Sequence, residues 1–63
     1  MSNDNLIPIS DAVMIAEGVI EVEDESTYLE AWQRLIDTGL VWQLQGWFGR
    51  TAVQLIDAGL CTR

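Results

Sequence analysis

Apolar residues recur at helical spacing along most of this chain, and the middle stretch shows the pattern most clearly. Four apolar side chains share a spacing of i, i+4, i+7 and i+8: Tyr28, Trp32, Leu35 and Ile36. That spacing places them on one face of a helix. Thr27 followed by Glu30 forms a capping box, which is typical of a helix start. The pattern predicts a helix over about residues 27–38.

A shorter apolar pattern precedes this helix. It follows Ser10, a good N-cap residue, and consists of Ala12, Ile15, Ala16 and Val19. Gly18 would lower the stability of such a helix by up to ~1 kcal/mol relative to alanine, which weakens the prediction. The alternation over residues 20–23 is also typical of a strand, but the chain offers no evident partner strand. We therefore predict a helix over about residues 11–22.

The third apolar pattern allows two interpretations. Its members are Val41, Leu44, Phe48, Ala52, Leu55 and Ile56. One interpretation is a continuous helix over 41–58, in which Trp47 and Arg50 share the wet face, where they can stack on each other. The other is a helical turn at 41–45, a break near Gly46 and a helix over about 47–58.

The continuous helix over 41–58 would also have one face on which the backbone is covered by few side chains. That face would hold Trp42, Gly46, Gly49 and Val53. Because glycine has no Cβ atom, a neighbouring backbone or a bulky aromatic side chain could approach closely there. The alternative role for Trp42 and Trp47 is structural, with both indoles covering the core.

The same local sequence ends the second and third patterns. Leu-Ile-Asp-Thr-Gly-Leu at 35–40 matches Leu-Ile-Asp-Ala-Gly-Leu at 55–60 in five of six positions. A helix often ends in a left-handed residue, usually glycine, so Gly39 and Gly59 are predicted to end their helices. Together the patterns predict an all-α, compact three-helix miniature. Residues 1–9 would form a partly ordered arm, and 10–63 a single helical domain.

Length and composition make the core of this fold marginal. A chain of 63 residues buries only about 60% of its unfolded surface. It has a single cysteine and no histidine, so neither an internal disulfide nor a structural zinc site is expected. Apolar residues make up 49% of the chain and compensate in part. A homodimer would compensate further.

The charge is negative and unevenly distributed. The net charge is −7, and residues 1–31 hold eight acidic residues and no basic one. Such a charge repels nucleic acid and anionic membranes, so neither is expected as a direct partner. It favours a partner protein with a basic or mixed surface. A helix–turn–helix role on DNA is disfavoured because the basic stripe is missing.

No motif in the chain points to catalysis or to a cofactor. The acidic run Glu21, Glu23, Asp24 and Glu25 lacks the spacing of a calcium-binding EF-hand loop. Histidine and lysine are absent, which removes the commonest general base and the amine nucleophile. Cys61 lies beyond the last predicted helix without a histidine partner and is interpreted as an idle thiol. We expect a non-enzymatic protein without catalytic, cofactor-binding or metal-binding residues.

The candidate functional residues are therefore those suited to binding a protein. Tryptophan and arginine are the residues most enriched at interface hot spots, and carboxylates steer encounters with basic partners. The hypothesis names six residues: Trp42, Trp47, Arg50, Glu21, Glu23 and Glu25.

A family resemblance adds a biological setting to this hypothesis. The tract Leu-Gln-Gly-Trp-Phe-Gly-Arg at 44–50, together with its surroundings over roughly residues 12–60, resembles tiny proteins of tailed phages and prophages that have no assigned activity. The resemblance implies phage origin and expression in a bacterial host. The polar N-terminus shows no export signal, so the host cytoplasm is the expected location.

Three functions fit this setting. The leading expectation is a phage-encoded modulator or inhibitor of a host protein. The first alternative is a small component of the virion or of its assembly. The second is an acidic mimic of nucleic acid that blocks a DNA- or RNA-binding protein.

Overall fold

The computed structural model describes residues 7–63, and over those residues the chain folds into three α-helices without a strand. Helix α1 spans Ile9–Glu17, α2 spans Glu25–Thr38 and α3 spans Gly46–Asp57. A single turn of 3₁₀ helix, Leu40–Trp42, lies between α2 and α3. The predicted all-α, three-helix class is confirmed. None of these helices is long and apolar enough to cross a membrane.

Helix α1 is shorter than predicted at its C-terminal end. The prediction of 11–22 is wrong there, because the helix ends at Glu17 and Gly18 adopts a φ of 85°. The following N–H of Val19 donates to the Met14 carbonyl at 2.9 Å, which closes a Schellman motif. Gly18 is therefore the residue that ends this helix. The alternating residues 20–23 lie in the connection to α2.

The start of α1 also differs from the prediction. The helix begins at Ile9 with Pro8 at the N-cap, and the N–H of Ala12 donates to the Pro8 carbonyl at 2.8 Å. Ser10 lies inside the helix and is exposed. Proline suits a helix start because its φ is already close to helical and its missing N–H has no partner to lose.

Helix α2 begins one half-turn earlier than the predicted residue 27. Its N-cap is Asp24, whose carboxylate accepts a hydrogen bond from the Thr27 N–H at 3.2 Å. The hydroxyls of Ser26 and Thr27 donate to the same carboxylate at 2.6 and 2.9 Å. The acidic break in the sequence is thus the start of a helix, and Thr27 serves as a donor in its first turn rather than as its cap.

Helix α2 forms the centre of the molecule. It packs against α1 and against the 3₁₀ turn, which in turn packs against α3. The buried core is made of Ala12, Ile15, Ala16, Ala31, Trp32, Leu35, Ile36, Val41, Phe48, Ala52 and Cys61. The radius of gyration is 11.0 Å, close to the value of about 10.6 Å expected for a compact domain of this length.

Two side chains of α2 form hydrogen bonds with the backbone before α1 and after α3. Arg34 Nε donates to the Ile7 carbonyl at 3.1 Å. Gln33 Oε1 accepts from the Thr62 N–H at 2.8 Å, and its amide nitrogen donates to the Thr62 carbonyl. Ile7 also packs against the core. Residues 1–6 of the predicted N-terminal arm lie outside the described residues.

The two matching hexapeptides end their helices with the same backbone conformation. Gly39 and Gly59 both have a φ of 79°, as predicted. After Gly59 the N–H of Leu60 donates to the Leu55 carbonyl at 2.9 Å, which completes a Schellman motif. After Gly39 the chain enters the 3₁₀ turn at once. Because this turn ends at Trp42 and α3 begins at Gly46, the interpretation with a break near Gly46 is confirmed, and the continuous helix over 41–58 is wrong.

Candidate functional site

The aromatic residues at the start of α3 are divided between the core and the surface. Phe48 is buried, and Trp47 is half-buried beside it with its ring centroid 3.9 Å from that of Phe48. Trp47 also meets the fully buried Trp32 edge to face, with centroids 6.3 Å apart. Trp47 therefore lies at the margin of the core. Its placement on a wet face beside Arg50, as in the continuous helix, does not occur.

The other side of α3 carries an open groove, which we call the Trp42 groove. It has a volume of about 520 Å³ and is lined by Trp42, Gly46, Gly49, Arg50, Val53 and Gln54. Two of its apolar residues remain partly uncovered, since Trp42 is 43% exposed and Val53 is 38% exposed. The groove thus exposes an indole and a branched aliphatic side chain around a floor built from glycine.

The spacing of the glycines explains how the groove forms. Gly46, Gly49 and Val53 are spaced i, i+3 and i+7 and lie on one face of α3. Trp42 reaches this face from the preceding 3₁₀ turn. A Cβ atom placed on Gly49 would lie 3.6 Å from Cε3 of the Trp42 indole, so the missing side chain leaves room for the ring. The sequence-based expectation of a bulky neighbour at these glycines belongs to the continuous helix, which is wrong; in the structure Trp42 lies against Gly49 from the preceding 3₁₀ turn.

Positive charge borders the Trp42 groove. A Cβ atom placed on Gly46 would lie 3.1 Å from Nη1 of Arg50, so this guanidinium lies over the first turn of α3. The Cζ atom of Arg63 lies 4.9 Å from the centroid of the Trp42 ring, within the range of a cation–π contact. The first turn of α3 has no acidic residue and no side-chain cap, so the positive end of its dipole adds to the field.

The cation–π contact differs from the one suggested by the sequence. Within residues 7–63 it joins Arg63 to Trp42 rather than Arg50 to Trp47. Arg63 lies far from Trp42 along the chain. The two hydrogen bonds between the Gln33 side chain and the Thr62 backbone, which we call the Gln33 clamp, bring it there. No local pattern signals such a contact, which explains why sequence reasoning missed Arg63. Gln54 also lines the groove, and its spacing of four residues from Arg50 on α3 is a local signal that could have identified it.

The acidic candidates lie apart from the groove. Glu21 and Glu23 are exposed in the α1–α2 connection, and Glu25 is exposed in the first turn of α2. Their neighbour Asp24 is already engaged as the helix cap. The hydroxyls of Ser26 and Thr27 hold the pKa of the Asp24 carboxyl below its usual value. The six predicted residues therefore do not form one site: Trp42 and Arg50 meet in the groove, Trp47 joins the core margin, and the glutamates form a separate acidic surface.

The single thiol belongs to the core. Cys61 is 3% exposed, and its Sγ lies 3.8 Å from the Leu29 carbonyl oxygen. Burial raises the pKa of this thiol, and the nearby charge of Asp37 raises it further. A neutral, buried thiol is a poor nucleophile. Cys61 is therefore a packing residue, which its position after the last predicted helix did not indicate.

Metal ligands do not gather anywhere in residues 7–63. No three side chains of the cysteine, aspartate or glutamate type come close enough together to hold an ion. The chemistry that this part of the chain presents is accordingly that of its surface: one apolar groove bordered by arginine, and one group of exposed carboxylates.

Comparison with known proteins places the chain in a family. The chain belongs to the family described as Domain of unknown function (DUF7417), whose model matches residues 14–63. The match begins within α1 and includes all of α2, α3 and the Trp42 groove. Searches of curated proteins and of solved structures found no match.

Proposed function

We propose that this member of a family of unknown function is a non-enzymatic protein-interaction module that binds a partner protein through the Trp42 groove. The observation that supports this proposal is the uncovered apolar surface at Trp42 and Val53. Tryptophan and arginine, which meet at this groove, are among the residue types most enriched at interface hot spots. The missing side chain of Gly49 lets the Trp42 ring lie against α3, where it forms one wall of the groove.

The exposed glutamates give the same module a second role in binding. Glu21, Glu23 and Glu25 lie outside the groove and carry much of the negative charge of the described surface. Charges at the rim of an interface mainly speed up the encounter and contribute less to the final affinity. The proposal therefore assigns steering to the glutamates and affinity to the groove, and the partner presents a basic or mixed surface.

The biological form of the proposal is a phage-encoded modulator or inhibitor of a bacterial host protein, acting in the host cytoplasm. Its support is the resemblance of the tract at 44–50 to small phage proteins and the small size of the chain. An assembly component of a virion and an acidic mimic of nucleic acid remain the alternatives. The mimic draws on the exposed glutamates and would not need the groove.

Capture and binding experiments with matched variants test the proposal. Immobilised wild-type protein and Trp42→Ala would be compared in bacterial lysate, and the captured protein would be purified and titrated. We expect Trp42→Ala to weaken binding by about 2 kcal/mol, roughly 30-fold, as at a hot spot. Val19→Ala is the control, because Val19 is 68% exposed and lies outside the groove.

The alternatives predict different results in the same assay. A mimic of nucleic acid would lose its partner when Glu21, Glu23 and Glu25 are changed to glutamine, and DNA would compete for the same partner. In our proposal that triple change slows association and flattens its dependence on salt. A virion component would be found in purified particles. Equal binding by the wild type and Trp42→Ala would contradict the role of the groove.

A further inference from the structure

The Trp42 groove has the opposite charge to the molecule as a whole. The chain carries a net charge of −7 and only three basic residues. Two of those three, Arg50 and Arg63, lie at the groove. The third, Arg34, is bound to the Ile7 carbonyl on the outer side of α2. No residue that lines the groove is acidic.

This concentration of positive charge predicts the chemistry of the occupant. We propose that the groove recognises a protein segment in which a bulky apolar side chain lies next to an aspartate or glutamate. This inference rests on the proposed function of the groove as a protein-binding site. The apolar side chain would pack on the exposed surfaces of Trp42 and Val53, and the carboxylate would accept hydrogen bonds from the Arg50 guanidinium, which lies over Gly46.

The dimensions of the groove support a short segment. Gly46 and Val53 are seven residues apart on α3, which at about 1.5 Å per residue makes the floor roughly 10 Å long. An extended peptide covers that length with about three residues at roughly 3.3 Å each. The groove therefore fits one apolar anchor and its immediate neighbours. A partner helix would extend well beyond it.

The position of Arg50 places the carboxylate at one end of the anchor. Its guanidinium lies over Gly46 at the start of α3, whereas Val53 and Gln54 lie toward the other end of the groove. Arginine binds carboxylates through paired, charge-assisted hydrogen bonds, which adds specificity to the contact. An acidic side chain next to the anchor would satisfy this guanidinium, and a basic one would be repelled.

The net charge of the chain does not prevent this recognition. Electrostatic interactions in solution are screened over about 8 Å at physiological salt. Glu21, Glu23 and Glu25 lie on the α1–α2 connection and on α2, outside the groove lining. At contact distance the segment therefore meets Arg50 and Arg63, while the remote carboxylates act mainly on the approach of the partner as a whole.

Selection from a library of random displayed peptides tests the inference. The library would be panned against the wild type, Arg50→Glu, Trp42→Ala and Glu21→Lys, each first shown to be helical by circular dichroism. We expect the wild type to enrich peptides with a bulky apolar residue next to Asp or Glu. Arg50→Glu should enrich the same apolar residue next to Lys or Arg. Glu21→Lys changes the charge away from the groove and should leave the wild-type selection unchanged.

Measured affinities complete the test. In a selected peptide made by synthesis, exchanging the acidic residue for lysine should weaken binding to the wild type by roughly tenfold or more, the effect of losing a hydrogen bond to a charged group. The same exchange should strengthen binding to Arg50→Glu. Such a reversal of preference cannot come from a change in folding.

Three results would overturn the inference. Enrichment that depends on Trp42 but shows neutral or basic neighbours would refute the acidic preference and leave the proposed function standing. The absence of any enrichment that depends on Trp42 would refute both. A wild-type dimer in sedimentation experiments that dissociates in Arg50→Glu would overturn the assignment of the groove to a separate partner protein, because a second copy of this chain would then occupy it.

Discussion

The two sides of α3 use similar residues for opposite purposes. On one side Trp47 and Phe48 pack against Trp32 of α2, with centroids 6.3 and 5.8 Å from the Trp32 ring. On the other side Trp42 and Val53 surround a floor of glycine and remain 43% and 38% exposed. Residue type does not account for this contrast. It arises because Trp32 of α2 covers one side, whereas the 3₁₀ turn covers the other side only in part, through Trp42 against Gly49.

The comparison shows how a small protein can support an exposed aromatic surface. Trp32, Phe48 and Ala52 are buried and hold α3 from one side. The opposite side then carries Trp42, which is more exposed than Trp47 and packs against Gly49 and Arg63. This division predicts that changes on the two sides of α3 will separate stability from binding.

The largest expected effect distinguishes the two tryptophans by stability. Trp47→Ala should lower the free energy of unfolding by about 3 kcal/mol, the lower end of the range for truncating a core aromatic, because Trp47 is only half-buried. Trp42→Ala should lower it less, by about 1 kcal/mol, because Trp42 is 43% exposed. Urea titrations followed by circular dichroism would measure both. Equal losses would show that the division between core and groove is not real.

The next effect tests the C-terminal end of α3. Gly59 has a φ of 79°, and a Cβ atom there would meet open space, so any cost of Gly59→Ala comes from the backbone alone. We expect a loss of about 1 kcal/mol, and the same at Gly39. Thermal and urea unfolding of the two variants would measure it. Unchanged midpoints would remove the argument that these glycines end their helices.

A smaller effect of opposite sign is expected at Gly49. This glycine lies within α3, and a Cβ atom would make an ordinary contact 3.6 Å from the Trp42 ring. Gly49→Ala should therefore raise stability by up to about 1 kcal/mol, the difference in helix propensity. It should also narrow the groove and weaken peptide binding. A variant that is more stable and binds equally well would show that the glycine floor has no part in recognition.

The smallest effect lies away from both sides of α3, at the Asp24 cap. Because the folded state lowers the pKa of this carboxyl, its charged form stabilises the fold above the unfolded pKa of about 3.9, and that stabilisation is lost as the pH falls through the lower folded pKa. Asp24→Asn keeps a capping oxygen without the charge. Its free energy of unfolding should be lower than that of the wild type at neutral pH, and the two values should converge in acid.

A matched variant controls for the general loss of charge in that experiment. Glu23→Gln removes the neighbouring exposed carboxylate instead. Thermal unfolding of the three proteins across the acidic range would compare them. If Glu23→Gln showed the same dependence on pH as Asp24→Asn, the effect would belong to the net charge and not to the cap.

Local sequence was a good guide where the cause is local. Helical spacing located the buried face of α2, and the left-handed glycines at 39 and 59 follow from a short pattern. The errors fell where two local signals compete. Gly18 was interpreted as a tolerated helix residue although it ends α1, and Thr27 was chosen as a cap although Asp24 precedes it. In both cases hydrogen bonds to the neighbouring turn decided the outcome.

The groove was only half visible in the sequence. Spacing predicts a face shared by Trp42, Gly46, Gly49 and Val53 only for the continuous helix, which is wrong; the last three share a face of α3, and Trp42 reaches it from the 3₁₀ turn. Arg63 was not recognised, because its place over Trp42 depends on the Gln33 clamp between α2 and the last residues of the chain. A contact between residues so far apart leaves no periodic signal.

By itself the sequence determined the helical class, the helix-ending role of Gly39 and Gly59 and the shared spacing of Gly46, Gly49 and Val53, because these depend on backbone preference and on spacing within one element. Only the tertiary structure decided which indole is covered and which arginine borders the groove. Those outcomes depend on how α2, the 3₁₀ turn and α3 pack on one another. Burial belongs to the assembled elements, and a helix considered alone does not reveal which of its faces a neighbour will cover.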